Sequence, residues 1–388
     1  MTVSARAFLE ELFRAADKKS AGVRKKDAVL TEFRLNDYRN LSSLQIKEGI
    51  EHEFRMARDA GAIALEWDRP GENGFIRRIT LVDADRLANY LGIERSAHIV
   101  AQAREHLVPF LPRFPVLNDV IARWGTLKKV RMTDATQVDE WLDAIRAVGA
   151  LTERFTGEDT PIREASARLF NDSKRLEKLT GPLDTILTGS IEMEARLPAE
   201  VWKELGLFRE EQPVLLAGRI ELARSRLSAL IDQPYGGFAS HAVLGVSGHM
   251  PSRILTIENL TTFHSEARRG QDADTLLIYT AGMPSPAWRA MYRRILTSTP
   301  ATALLFHWGD VDEGGFRIAS VIASDARLEQ RTLLPFRMAP EDIPIDVRRT
   351  ASPAVLARMR TFASRAGWQE LGDRIQEAGF TVEQESLS

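Results

Sequence analysis

A chain of 388 residues with 44% hydrophobic and 27% charged side chains has the composition of a multidomain globular protein. It contains no cysteine, which excludes disulfides and thiolate metal sites and makes the cytoplasm the expected compartment. The 52 basic and 54 acidic side chains nearly cancel, so any nucleic-acid surface has to be a local patch; no apolar run approaches membrane-spanning length, and no membrane contact is expected.

The N-terminal third reads as mostly helical. Ala5 to Ala16 places Phe8, Leu9, Leu12 and Phe13 on one face, the pattern of an amphipathic helix, and the cations Lys18, Lys19, Arg24, Lys25 and Lys26 follow it. A second helix is predicted from Ser42 to Gly61. Next come Ala62–Trp67, a turn-rich Asp68–Gly74, and Phe75–Leu81, which together read as a hairpin, and then a helix from Asp83 to Leu91 stopped at Gly92. Helices followed by a hairpin suggest a winged-helix unit, whose wing either contacts DNA or is structural. From about 95 to 150 further helices are punctuated by Pro109, Pro112 and Pro115, with Trp124 and Trp141 as expected core anchors.

The stretch Pro161–Glu177 reads as helix, Asn-Asp turn, helix, and can present Arg168, Lys174 and Arg175 to phosphates. Glu164 and Glu177 offset these cations, so a solvated charged face is the competing reading. Gln212–Leu222 offers a strand, and Pro234-Tyr235-Gly236-Gly237 marks a turn.

Three short apolar runs follow: Arg253–Ile257, Thr275–Thr280 and Leu304–Trp308. The first ends in Glu258; the last runs through Gly309 into Asp310-Val311-Asp312, with Gly314 and Gly315 opening a helical pattern. A helix from Pro286 to Leu296, with Ser285 as N-cap, separates the second and third runs. The order predicts a mainly parallel sheet with helical crossovers, in which Glu258, Asp310 and Asp312 gather at neighbouring strand tips. Carboxylates held that close repel unless a cation lies among them, and hard oxygen ligands point to Mg²⁺ or Mn²⁺. The bland alternative makes Asp310 a helix cap and puts Asp312 and Glu258 in salt bridges. His264 and His307 are expected to be structural. Arg289, Arg293 and Arg294 form a basic face that either contacts a DNA backbone or is solvated, and Arg268 and Arg269, on a connecting loop, read the same way.

Taken together, Ile257-Glu258-Asn259-Leu260-Thr261-Thr262-Phe263, Trp308 to Phe316, and the Leu-Phe-Asn-Asp-Ser-Lys-Arg-Leu-Glu core within Arg163–Glu177 resemble the JetD family of Wadjet nuclease subunits, over roughly residues 160–340. The resemblance implies a Toprim nuclease domain related to the A subunit of type IIB topoisomerases and to the meiotic break-forming protein. It implies Glu258, Asp310 and Asp312 as metal-binding catalytic acids, with no clear role for Glu313. It also implies a homodimer acting on double-stranded plasmid DNA with an SMC–kleisin complex in anti-plasmid defence. The topoisomerase relatives cut with a winged-helix tyrosine. Here Tyr38, Tyr90, Tyr235, Tyr279 and Tyr292 all lie outside residues 160–180, which favours hydrolysis by metal-activated water.

The expected fold class is multidomain α/β: a mostly helical N-terminal region with winged-helix units and a C-terminal Toprim-like Rossmannoid parallel sheet. The expected partition is 1–150 as an N-terminal arm, 151–245 as a central winged-helix (CAP-like) DNA-binding domain, and 246–388 as the nuclease domain. The expected function is a divalent-metal-dependent endodeoxyribonuclease. Its rivals are a non-catalytic DNA-docking subunit of an SMC complex and a DxD phosphohydrolase of small molecules.

Overall fold

The structure is a computed structural model that describes residues 4–71, 73–152, 157–270 and 274–384. About half of the chain is helical, and its sheets are mixed in direction. Two compact units emerge, one comprising Met1–Arg146 with Gly181–Ala195 and the other Ala147–Thr180 with Arg196–Ser388.

In the first unit, local signals in the sequence set the element ends. Ser4 caps the helix Ala5–Ser20, whose Phe8, Leu9, Leu12 and Phe13 are all buried. Ser43 caps Leu44–Asp59, Asp83 caps Ala84–Leu91 through the amides of Asp85 and Arg86, and Gly92 ends that helix in a left-handed conformation. The hairpin pairs Ile63–Arg69 with Asn73–Leu81, and Val29–Thr31 adds a third antiparallel strand beside Asn73–Leu81. Tyr38 and Phe54 meet edge-on at 6.2 Å in the core beneath. Trp124 and Trp141 are buried core anchors, 5.7 Å apart, with both indole N–H groups donated to Thr133.

In the second unit, the helix Ile162–Phe170 ends at Asn171, whose φ of 54° makes the tight turn, and a single helical turn, Arg175–Lys178, follows. Ser166 Oγ ties the two together by donating to the Asp172 carbonyl at 2.5 Å and accepting from Leu176 N at 3.1 Å.

A six-stranded sheet dominates this unit, in the order Leu333–Pro335, Leu304–Trp308, Arg253–Ile257, Thr275–Tyr279, Val214–Ala217, Gly236–Phe238. The first four are mutually parallel. The last two join antiparallel, so the mainly parallel sheet expected from the element order is a mixed one. The single strand expected over Gln212–Leu222 is in fact two, Val214–Ala217 and Glu221–Arg224, and the second pairs into a separate three-stranded sheet. Gly218 makes the break: its φ is +132°, and a Cβ there would stand 2.4 Å from the Thr275 carbonyl oxygen. The expected loop carrying Arg268 and Arg269 is a helix, Leu260–Arg269, capped by Asn259. It serves as the crossover that lets the Glu258-bearing strand and Thr275–Tyr279 run parallel.

Ile254, Ile257, Leu276, Leu277 and Ile278 are fully buried, each contributing about 1.5–3 kcal/mol to the folded state. Because both faces of these strands are covered, their chemistry can emerge only at the tips. Among the described residues, no helix is long and apolar enough to cross a membrane.

Candidate active site

Strand register brings the three acids to one edge. Ile257 pairs with Trp308 on one side and Tyr279 on the other, so Glu258 leaves the sheet beside Gly309 and Thr280. The backbone continues the ladder one step further, with Glu258 N donating to Trp308 O at 3.0 Å and Thr280 N to Ile257 O at 2.9 Å.

Each acid is then fixed by a backbone amide. Glu258 Oε2 accepts from Asp310 N at 3.2 Å, Asp310 Oδ1 from Gln384 N at 2.5 Å, and Asp312 Oδ1 from Gly315 N at 2.7 Å. Asp312, rather than Asp310, is the N-cap of the helix Glu313–Leu328. Neither Glu258 nor Asp312 forms an ion pair among the described residues. Glu313 points its carboxylate elsewhere, to Arg358 at 2.6 Å.

A returning segment locks the arrangement. Val382 exchanges backbone hydrogen bonds with Val311, and buried Gln384 accepts from Asn259 N at 2.9 Å while donating to Trp308 O at 3.2 Å. No sequence motif marks Gln384, because its role depends on a contact 74 residues from Asp310.

Electrostatically the site is strained. Burial, then the charges of Asp310 and Asp312, push the Glu258 carboxyl well above its ordinary range, with Glu200 adding to the effect. Burial likewise raises Asp312 against the opposing amide of Gly315. A positive charge placed among these acids relieves both effects.

Two observations bear on whether a cation fits. His307 is fully buried and burial pushes its imidazole down to about 3, so the ring is neutral. Its Nε2 has no hydrogen-bond partner. Gly309 leaves a small cradle: a Cβ there would lie 2.6 Å from Glu258 Oε2 and 2.8 Å from His307 Nε2. Among the described residues, no three His, Asp or Glu side chains already close around a single ion position. The donor set itself, carboxylate oxygens with an imidazole nitrogen, His307 Nε2, left without a partner at its edge, suits a small divalent ion.

Beside the tips lies a cavity of about 1390 Å³, bounded by Tyr279 and Thr280 on the sheet side and by Lys174 on the helix–turn–helix side. Lys203 also lines it, donating from Nζ to Thr280 O at 2.9 Å and Ala281 O at 2.7 Å, and burial lowers its ammonium to about 8 against the opposing charge of Asp159. Sequence reading passes over Lys203 and Asp159 because neither falls in a motif. Arg168 and Lys174 are exposed, with Arg175 half-buried. The other basic face is committed internally. Arg289 forms a two-point pair with Asp325 at 2.7 and 2.9 Å, Arg293 meets Glu329 at 2.8 Å, and Arg294 donates to the carbonyls of Val243 and Ser240. Arg269 pairs with Glu266 at 2.7 Å.

No curated protein matches the chain. Residues 238–388, which hold all three acids, Gly309 and Gln384, match the family model described as Wadjet protein JetD, C-terminal. The C-terminal segment of the chain is thus similar to the C-terminal region of Wadjet protein JetD.

Proposed function

We propose that this chain is the nuclease subunit of a Wadjet-type defence complex, a homodimeric, divalent-metal-dependent endonuclease that cuts closed circular plasmid DNA by hydrolysis. The observation that carries the reading is the convergence of Glu258, Asp310 and Asp312 on adjoining tips of parallel strands inside the JetD-matching segment. The C-terminal sheet is read as a Toprim domain and the hairpin and helix–turn–helix segments as winged-helix units, which supplies DNA-facing surfaces. Lys174 borders the same cavity as Tyr279 and Thr280, which flank Ile257 in the ladder, while the three acids themselves lie outside its lining.

Mg²⁺ or Mn²⁺ held by Glu258, Asp310 and Asp312 would supply water activation and charge neutralisation on the scissile phosphate. The chain's own contribution is preorganisation. Asp310 N orients Glu258, Gln384 N orients Asp310, and Gly315 N orients Asp312, so the acids need little rearrangement as charge develops. Gly315 lets the helix start pack against the acid loop, because a Cβ there would stand 2.1 Å from the Asp310 carbonyl. Of the five tyrosines, Tyr279 lies nearest the acids in the register. Burial and the charge of Glu258 raise its phenol, the wrong direction for a nucleophile, which favours water as the attacking group.

The test is supercoiled plasmid incubated with the protein and Mn²⁺, alone and with an SMC–kleisin complex and ATP. Nicking or linearisation lost in Asp310→Ala supports the proposal. Hydrolysis of a phosphomonoester without DNA cutting favours a small-molecule phosphohydrolase. DNA binding without cutting under every condition favours a docking subunit.

A further inference from the structure

His307 has a hydrogen-bonding pattern that a purely structural histidine does not require. Thr256 sits opposite it across the parallel ladder, and the single hydroxyl proton of Thr256 goes to the Phe306 carbonyl at 3.0 Å. Thr256 Oγ1 therefore accepts from His307 Nδ1, 2.9 Å away. The ring proton is thus on Nδ1, and Nε2 presents a bare lone pair. The imidazole is held in this orientation by the bond to Thr256 and by complete burial, with Trp368 beside it.

The lone pair faces the same small space as a second electron-rich atom. The Cβ that Gly309 lacks would come within 2.8 Å of His307 Nε2 and 2.6 Å of Glu258 Oε2. Glu258 Oε2 accepts one hydrogen bond, from Asp310 N, while His307 Nε2 has none, so a cation seated beside both would satisfy the bare nitrogen and neutralise the carboxylate. A histidine whose remote nitrogen is fixed by a hydroxyl, leaving the near nitrogen bare beside a carboxylate, has the support pattern of an oriented metal ligand.

We propose that His307 Nε2 and Glu258 Oε2 form a mixed nitrogen–oxygen seat, which makes this site bind Mn²⁺ in preference to Mg²⁺. The chemistry behind the preference is that Mg²⁺ keeps all-oxygen surroundings and gives up its waters reluctantly, whereas Mn²⁺, though the weakest of the first-row divalent ions for nitrogen ligands, accepts an imidazole beside carboxylates. Asp310, Asp312 and water complete the coordination when the ion binds. The inference rests on the metal-binding part of the nuclease reading and is independent of whether DNA is the substrate.

The experiment is pulsed electron paramagnetic resonance on the full chain, stripped of metal and reloaded with Mn²⁺, with calorimetric titration of Mn²⁺ and Mg²⁺ alongside. The expected result is electron spin-echo modulation from one imidazole ¹⁴N, replaced by ¹⁵N coupling when the histidines are ¹⁵N-labelled. His307→Leu should abolish the coupling and weaken Mn²⁺ about tenfold while changing Mg²⁺ affinity less than twofold. His264→Gln, which alters the other histidine whose buried Nε2 has no hydrogen-bond partner among the described residues, should leave the coupling intact. Should His307→Leu fail to fold, Thr256→Val keeps the ring but removes its orienting partner, and is expected to weaken Mn²⁺ severalfold without moving Mg²⁺. No Mn²⁺ binding, Mn²⁺ bound without nitrogen coupling in the native chain, or coupling that survives in His307→Leu overturns the proposal. A protein that shows the coupling but never cuts DNA overturns the nuclease reading alone. One that cuts DNA with Mn²⁺ in an all-oxygen site overturns this inference alone.

Discussion

Gly309→Ala is the smallest change that reaches the centre of the site. Gly309 has no left-handed backbone angle, so alanine brings no backbone strain and acts only through its methyl group. That methyl would meet Glu258 Oε2 at 2.6 Å and His307 Nε2 at 2.8 Å. The glutamate carboxylate is the end of a flexible chain and yields first, whereas the imidazole is held by Thr256 and buried beside Trp368, so the 2.8 Å contact with His307 Nε2 is relieved only by a smaller shift of the ring or of the backbone at 309. Reaching an ordinary 3.4 Å contact moves the Glu258 oxygen by about 0.8 Å, which stretches the bond from Asp310 N. Overpacking of this kind costs about 1–3 kcal/mol of stability, or a melting point lower by about 2–4 °C for each kcal/mol. A displacement near 1 Å at a reacting centre costs on the order of 100-fold in rate. The expected outcome is a folded protein, by circular dichroism and melting, with plasmid cutting down about 100-fold. Wild-type cutting by Gly309→Ala would refute the claim that Glu258 is confined against this backbone.

The neighbouring glycines should separate sharply. Gly314→Ala makes one tight contact, with Asp312 Oδ1 at 3.3 Å, which a carboxylate shift of a few tenths of an ångström relieves, and should shift the melting point by no more than a degree or two; Gly315→Ala meets the Asp310 carbonyl at 2.1 Å and should destabilise measurably in chemical denaturation. Lys203 should leave a signature in stability against pH. Its folded ammonium titrates near 8 and its unfolded one near 10.5, so the unfolded state binds the extra proton between those values and stability rises with pH. From pH 8 to 10 the gain is on the order of 2–3 kcal/mol, and denaturant titrations should show it in the native chain and not in Lys203→Met. Replacing Arg168 and Lys174 with glutamate should weaken DNA binding in a salt-dependent manner, read by fluorescence anisotropy, with the fold unchanged because both side chains are exposed.

What could be read from the sequence was local. Apolar runs ending in Glu258 and Asp310, the N-cap at Ser285 and the stop at Gly92 are written within a few residues of where they act. Strand-tip placement of the acids followed from these runs and from the impossibility of burying unpaired charge in mid-strand. What escaped was set by distant contacts. The split at Gly218 depends on the Thr275 carbonyl, and the antiparallel edge depends on where Val214–Ala217 docks. Gln384 acts on Asp310 through a returning segment, and the basic character of Arg289, Arg293 and Arg294 is cancelled by partners 36 or more residues away. The cap that the bland alternative gave to Asp310 falls to Asp312, because the helix opens at Glu313, directly after it.

The most direct test of the central claim pairs native protein and Asp310→Ala on two substrates, closed circular and linear DNA of one sequence, with Mn²⁺, an SMC–kleisin complex and ATP. The account predicts cutting of the circle by the native chain, little cutting of the linear DNA, and none of either by Asp310→Ala at an unchanged melting point. Equal cutting by the two proteins would show that the acids at these strand tips do not perform the reaction.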